Sequence, residues 1–278
     1  MTTLTLPAPP TTARSRLKWT LKDGATVVGR DLGHLRREPG QLIAALLFPA
    51  ILVLLFGYIF GSAIKVPGGG NYREYLMPGL FAMTAVTGII GTTLGIAADV
   101  SKGVMDRFRS MPMARSAVPF GQTGSDILVG IIGLVIMAGC GLAVGWRAHN
   151  GFWQTLAGFA LLISARYAIS WGGVLLGLSV KSEETADQLV PLVFPITMIG
   201  NAFVPTTGMP TWLRIISEWN PVSALTGACR QLFGNPGAHI GHGALPLQHP
   251  IAATLIWIAV LLALFVPLSV RKYGTKNR

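Results

Sequence analysis

The run Ile251 to Val270, IAATLIWIAVLLALFVPLSV, holds 20 residues without an Asp, Glu, Lys or Arg, and Arg271 and Lys272 follow it at once. A helix of about 20 residues, rising about 1.5 Å per residue, crosses the roughly 30 Å hydrocarbon core of a bilayer. Gln41 to Ile64, Leu76 to Ala98 and Ile127 to Trp146 read the same way, at 20 to 24 residues each. Two further stretches, 152–180 and 188–204, are long and apolar but less clean. The chain therefore reads as an all-α polytopic membrane protein with six transmembrane helices. They are expected at 41–64, 76–98, 122–146, 152–180, 188–204 and 251–270.

Composition agrees. Of 278 residues, 51% are hydrophobic and only 12% charged, against about 25% charged in soluble domains. After six spans no room is left for a second globular domain. The expected organisation is a lead with an interfacial helix over 1–40, a transmembrane domain over 41–270 and a tail over 271–278. Residues 1–13 carry no charge, and the first apolar run is too long for a signal core, so it is expected to stay as a span. A net charge of +11 beside membrane spans points to orientation and anionic headgroups rather than to nucleic acid. Two cysteines do not make a disulfide framework.

The basic residues give a direction. With six spans and a cytoplasmic N-terminus, 16 Lys and Arg fall on the cytoplasmic side and five outside, leaving Arg166 within a span. That asymmetry predicts a multi-pass plasma-membrane protein with both termini in the cytoplasm. Before the first span, Leu17, Leu21, Val28, Leu32 and Leu35 recur at helical spacing among basic residues, which predicts a helix lying in the interface. Pairs of glycines four apart, Gly57/Gly61, Gly91/Gly95, Gly141/Gly145 and Gly173/Gly177, predict close helix packing.

Arg166 lies 14 residues from both Phe152 and Val180, near mid-depth of the fourth span. A lone arginine there costs roughly 3 kcal/mol on insertion scales, so it should face protein or a wet cavity. Asp126 is a candidate partner, but placed at the start of the third span it sits at a different depth. The fifth span is irregular, with Pro191, Pro195 and Pro205. After it, Trp212 to Trp219 reads as an amphipathic outer helix closed by Asn220-Pro221, and Val222 to Leu232 as a second short one. Both are expected to be interfacial or re-entrant, within 211–233. Residues 234–250 read as an exposed outer loop, whose His239, His242 and His249 lack the carboxylate or cysteine company of a metal site.

The chain has no Gly-x-x-x-x-Gly-Lys-Ser/Thr loop, and its spans lack the buried acidic relays of many proton-coupled carriers. Energy for uphill transport is therefore expected from a separate subunit on the cytoplasmic side. The connector between spans two and three offers a surface for it. Val104, Met105, Phe108 and Met111 make an apolar stripe at helical spacing beside Asp106, Arg107 and Arg109, and Pro112 ends the turn. Such a helix, at 102–112, fits a partner's groove or lies on lipid.

The segment Gly103-Val-Met-Asp-Arg-Phe-Arg-Ser-Met-Pro-Met-Ala-Arg115 resembles the connector signature of type-2 ABC exporter permeases, most of all the daunorubicin-resistance group. Pro78-Gly79, Asn201-Ala-Phe-Val-Pro205, Met209-Pro-x-Trp212 and Trp219-Asn-Pro-Val-Ser-Ala-Leu-Thr226, ending with Arg230, continue the likeness. The resemblance implies that fold and an efflux permease that pairs with itself or a sister chain and with a separate ATPase. ATP and Mg would be bound by that ATPase, and this chain would bind no cofactor or metal and catalyse nothing. It makes Val104, Met105, Asp106, Arg107, Phe108, Arg109 and Met111 the coupling helix. Phe203, Pro205, Trp212, Trp219, Asn220, Pro221 and Arg230 fall in the outer gate, and Arg166 is the intramembrane polar residue. Substrates of the group are hydrophobic or amphipathic: drugs, antibiotics, polyketides, lipid-like molecules. The competing readings are a membrane-embedded lipid-modifying enzyme, for which Glu183-Glu184-x-x-Asp187 is the acidic candidate, and a proton-coupled carrier.

Overall fold

The computed structural model describes residues 50–60, 69–104, 117–180, 182–238 and 243–275, with isolated positions at 29, 33, 40, 47 and 66. The expected interfacial helix, Pro49, Gly61, His239 and His242 lie outside the described residues, as does the coupling helix beyond Val104. Every regular element among the described residues is helical. A helical stretch over Ala50–Ile59, ending in a π-helical turn at Leu55–Phe60, is what is described of the first apolar run. After it come α1 (Tyr72–Val86), α2 (Gly88–Ser101), α3 (Ala117–Val144), α4 (Phe152–Ser179) and α5 (Glu183–Met198). Next come α6 (Thr211–Trp219), α7 (Pro221–Phe233) and α8 (Leu245–Gln248), and α9 (Pro250–Thr275) closes the order.

Four of these are long and apolar enough to cross a membrane: Tyr72–Ser101, Pro119–Val144, Phe152–Ser179 and Pro250–Gly274. The chain is a multi-pass membrane protein. Helix α4 covers the stretch expected as the fourth span, and α9 covers the sixth and runs five residues further, to Thr275. The second is α1 and α2 together, one span interrupted at Thr87. The third begins at Ala117, five residues before the expected 122. The fifth is a helix of 16 residues that ends at Met198, and 199–205 is irregular rather than a continuation.

Local sequence sets the ends. Asn71 accepts the amide of Arg73 at 3.0 Å and starts α1, and Ser182 accepts that of Thr185 at 3.2 Å and starts α5. Asn220 accepts the amide of Val222 at 2.9 Å and Pro221 takes the first helical position of α7. Gly145, at φ +101°, follows the end of α3, and Gly234, at φ +70°, ends α7; both are backbone states that favour glycine.

Packing is tightest between α2 and α4. A Cβ on Gly173 would lie 2.7 Å from the Ile89 carbonyl oxygen, and one on Gly177 would lie 2.7 Å from that of Thr93, so this glycine pair lets two backbones touch. Gly141 receives Met77, but its expected companion Gly145 packs nothing and serves as a helix terminator instead. At the opposite end of the bundle, Phe81, Trp146, Phe159 and Phe233 form an aromatic core with centroids 5.1 to 5.9 Å apart. They come from α1, the α3–α4 loop, α4 and α7, and join these elements by edge-on contacts, with Phe159 and Phe233 tilted at 44°. By contrast, α9 exposes Leu255, Ile256, Val260, Leu264 and Leu268, the apolar surface expected of a helix against lipid.

The two ends differ in chemistry. At one end Lys102 lies 4.0 Å from Glu183 and Lys272 donates to Ser179 at 2.7 Å, gathering the ends of α2, α4 and α9 with the start of α5. At the other, His149 meets Glu74 at 3.0 Å and Trp146 donates to Asn235 at 2.8 Å. Asn235 donates in turn to the Arg147 carbonyl at 2.8 Å, so the stretch after α7 packs inward. The expected exposed loop over 234–250 is thus partly core: Asn235 and Leu247 are buried.

Candidate functional site

Backbone that leaves a helix at membrane depth must find partners for its amides and carbonyls. Residues 199–203, after α5, do so through side chains of α1 and α7. Tyr72 Oη donates to the Phe203 carbonyl at 2.9 Å and Tyr75 Oη to that of Asn201 at 3.1 Å. Arg230 Nη2 reaches the carbonyls of Asn201 at 2.8 Å and Ala202 at 3.2 Å. Its Nε donates to the Tyr75 carbonyl at 3.1 Å, and its Cζ stands 3.6 Å over the Tyr75 ring. The Asn201 amide donates to Ser223 Oγ at 3.1 Å, and Asn220 Nδ2 donates to the carbonyls of Ile196 and Ile199. Gly79 completes the seat, since a Cβ there would lie 2.6 Å from the Ala202 carbonyl oxygen.

This cap gathers part of the expected outer gate. Phe203, Pro205 and Arg230 are buried, and Asn220 and Pro221 start the helix that carries Arg230. Trp212 and Trp219 instead face outward, 66% and 53% exposed, on the same amphipathic helix α6 as exposed Ile215 and Ile216. That suits the interfacial reading of α6. The interfacial alternative does not suit α7, which is buried from Val222 to Arg230 and again at Phe233, and of the two expected alternatives this burial leaves the re-entrant one. Its small residues, Ser223, Ala224, Gly227 and Ala228, let it sink between α1, α4 and α9 rather than lie on the surface. Glu218, at the end of α6, accepts the Ala244 amide at 2.8 Å and ties the cap to the stretch before α8.

The second polar centre lies within the spans. Arg166 on α4 donates from Nη2 to Asp126 Oδ1 at 2.6 Å, from Nε to the Asp126 carbonyl at 3.1 Å and from Nη1 to the Thr84 carbonyl at 2.8 Å. Both side chains of the ion pair are 8% exposed. The expected mismatch in depth is overturned. Because α3 starts at Ala117, Asp126 sits about 14 Å along it, and Arg166 about 20 Å from the near end of α4, a difference that an arginine stem spans. Glycines open the space: a Cβ at Gly88 would lie 2.9 Å from both Arg166 Cζ and Asp126 Oδ2, and one at Gly130 would collide with Arg166 Cδ and Nε. The signal was present in the sequence, as lone opposite charges in two neighbouring apolar runs.

Of the expected coupling helix, Val104 is described and half-buried, whereas Met105, Asp106, Arg107, Phe108, Arg109 and Met111 lie outside the described residues. Among the described residues no group of three or more His, Cys, Asp or Glu could hold a metal ion.

The family of ABC-2 type transporters matches residues 25–233. This chain belongs to that family, as one of its membrane permeases. It is 31% identical over 261 residues to the daunorubicin resistance ABC transporter permease protein DrrB1 of Streptomyces coeruleorubidus, covering 91% of this chain and 89% of the relative. It is 28% identical over 200 residues to the doxorubicin resistance ABC transporter permease protein DrrB of Mycobacterium tuberculosis, at 70% and 68%. To the inner membrane transport permease YadH of Escherichia coli it is 21% identical over 241 residues, at 85% and 90%.

Proposed function

We propose that the chain is the permease subunit of an ATP-driven exporter that moves a hydrophobic or amphipathic compound, of drug, antibiotic, polyketide or lipid-like type, across the plasma membrane. It works as a pair, with itself or a sister chain. A separate ATPase docks on the cytoplasmic side against Val104, Met105, Phe108 and Met111, with Asp106, Arg107 and Arg109 at the rim. ATP-driven closure of the ATPase displaces this segment, the spans carry the displacement outward, and substrate leaves past the cap formed around Phe203, Pro205, Trp212, Trp219, Asn220, Pro221 and Arg230. Both termini are cytoplasmic. The observation that carries this reading is the family match over 25–233, which runs through the connector and the outer cap, together with the resistance functions named for two relatives.

The test is reconstitution in nanodiscs with its separate ATPase subunit, using daunorubicin as probe. ATP turnover that responds to daunorubicin is expected only with the partner present; hydrolysis by the permease alone counts against the reading. Phe108→Asp places a charge in the apolar contact at a cost of several kcal/mol, so co-purified ATPase is expected to fall about tenfold or more. Undiminished co-purification removes the docking role. Cysteines at Ser101 and Thr275 should label only in permeabilised cells, and one at Gly243 in intact cells; external labelling at Ser101 reverses the topology.

A further inference from the structure

One guanidinium joins four helices at the point where a span is interrupted. Thr84 lies in the last turn of α1, where helix carbonyls lack intrahelical amides, and its oxygen accepts from Thr87 Oγ1 at 2.9 Å and from Arg166 Nη1 at 2.8 Å. Gly88, the first residue of α2, lies against Arg166 Cζ and Asp126 Oδ2. Asp126 belongs to α3 and Arg166 to α4. Helices α2 and α3 are the arms that lead into and out of residues 105–116. On the far side of the same centre, α2 is bound to α4 through Gly173 and Gly177, and Thr93 Oγ1 donates to the Gly173 carbonyl at 3.3 Å. Gln122 of α3 reaches over Gly95 of α2, where a Cβ would stand 3.0 Å from its Nε2.

We propose that Arg166, with Asp126, is a positioning residue for transport. It rivets both arms of the 105–116 connector to α4 at the Thr87 break, so that a displacement of the connector moves α2, α3 and α4 as one body and is delivered to α1 and the outer cap. The idea rests on the exporter reading above and adds the residues that transmit the movement. An ion pair serving only insertion would need the carboxylate alone. Here the guanidinium also holds a carbonyl of the opposite half of the broken span, and glycines on both sides keep it there. Arg230, Tyr72 and Tyr75 then fasten α1 to 199–203, so the path from Asp126 to the cap runs through hydrogen bonds and close contacts throughout.

The experiment uses the permease with its ATPase in nanodiscs. Spin labels on Phe152→Cys and Ile215→Cys, both exposed at the outer end, are placed in a Cys140→Ser background. Without substrate, ATP and vanadate trapping is expected to shift the label distance in the otherwise wild-type complex. Arg166→Lys keeps the charge but offers a single nitrogen where Nε, Nη1 and Nη2 now reach Asp126 and the Thr84 carbonyl from separate positions. Gly88→Ala wedges the contact without changing charge. Both are expected to keep at least half of the ATP turnover while losing most of the distance shift, a separation that a purely folding role does not produce. A full shift in both variants overturns the inference. Should Arg166→Lys not reach the membrane, Gly88→Ala decides alone; loss of both from the membrane assigns the pair to folding and also overturns it. A wild-type complex that hydrolyses ATP with no distance shift overturns it as well. Failure of the permease to bind or stimulate the ATPase counts instead against the exporter reading.

Discussion

Arg166 and Arg230 are both buried, at 7% and 0% exposure, yet they are compensated by different chemistry. Arg166 keeps a carboxylate at 2.6 Å. The acceptors of Arg230 among the described residues are all backbone carbonyls, of Tyr75, Asn201 and Ala202, with the Tyr75 ring beneath its Cζ. The cause is the backbone around each. Inside a span most carbonyls are already bonded within their helices, so the cation there is paired with a carboxylate, and besides the Asp126 carbonyl it takes that of Thr84 near the end of α1. In the cap the chain leaves the helix at Met198, and the carbonyls of 199–203 need donors as much as the arginine needs acceptors. Irregular backbone and buried cation offset each other's desolvation.

That contrast predicts a hierarchy of effects. The largest should follow Asp126→Ala, which strands Arg166 without its charge partner. About 3–5 kcal/mol is expected from breaking a buried pair on one side, read as loss of thermal stability in detergent at fixed permease amount. Adding Arg166→Leu should recover most of it; a double variant as unstable as the single would show that the two charges are not compensating one another. Arg230→Leu comes next. It removes a donor from the carbonyls of Tyr75, Asn201 and Ala202, of which Asn201 keeps the Tyr75 hydroxyl, and strands no opposite charge, so about 2–3 kcal/mol is expected. Losses confined to the cap, seen as faster amide exchange over 199–203 and 221–233 with unchanged exchange near Asp126, would keep the two centres separate; a global loss would merge them.

Gly79→Ala probes the seat of the cap alone, because its Cβ meets the backbone of Ala202, which cannot yield as a flexible side chain would. Overpacking of this kind costs about 1–3 kcal/mol, and an unchanged melting temperature would mean that 199–203 shifts freely. The smallest effect is expected at Thr226, on the Arg230 face of α7. Its hydroxyl is buried and makes no hydrogen bond to the protein among the described residues. Thr226→Val should be neutral or stabilise by up to about 1 kcal/mol; a clear destabilisation would show that this hydroxyl is part of the cap's polar network.

Much of the architecture was legible from the chain itself because hydrocarbon is an unforgiving solvent. A span must be about 20 residues, apolar and helical, which is why the stretches at 152–180 and 251–270 read almost as they stand. The start of α7 at Asn220-Pro221 was also readable, since capping lies in local order and spacing. What lies between elements was not. The break at Thr87 carries no proline or charge to mark it; it coincides with a carbonyl that Arg166 takes from a helix about 80 residues away in sequence. The burial of α7 was hidden because a short run of Ser, Ala, Gly and Cys has too little apolar content to read as core, whereas those same small side chains let it pack deeply. Sequence alone determined that this chain enters the membrane, how often its apolar runs recur and where its lone charges fall, because those depend on transfer of side chains from water to lipid. Only the tertiary structure decided which charge meets which, because that depends on helix starts, on glycine-sized openings and on which carbonyls the folded backbone leaves free.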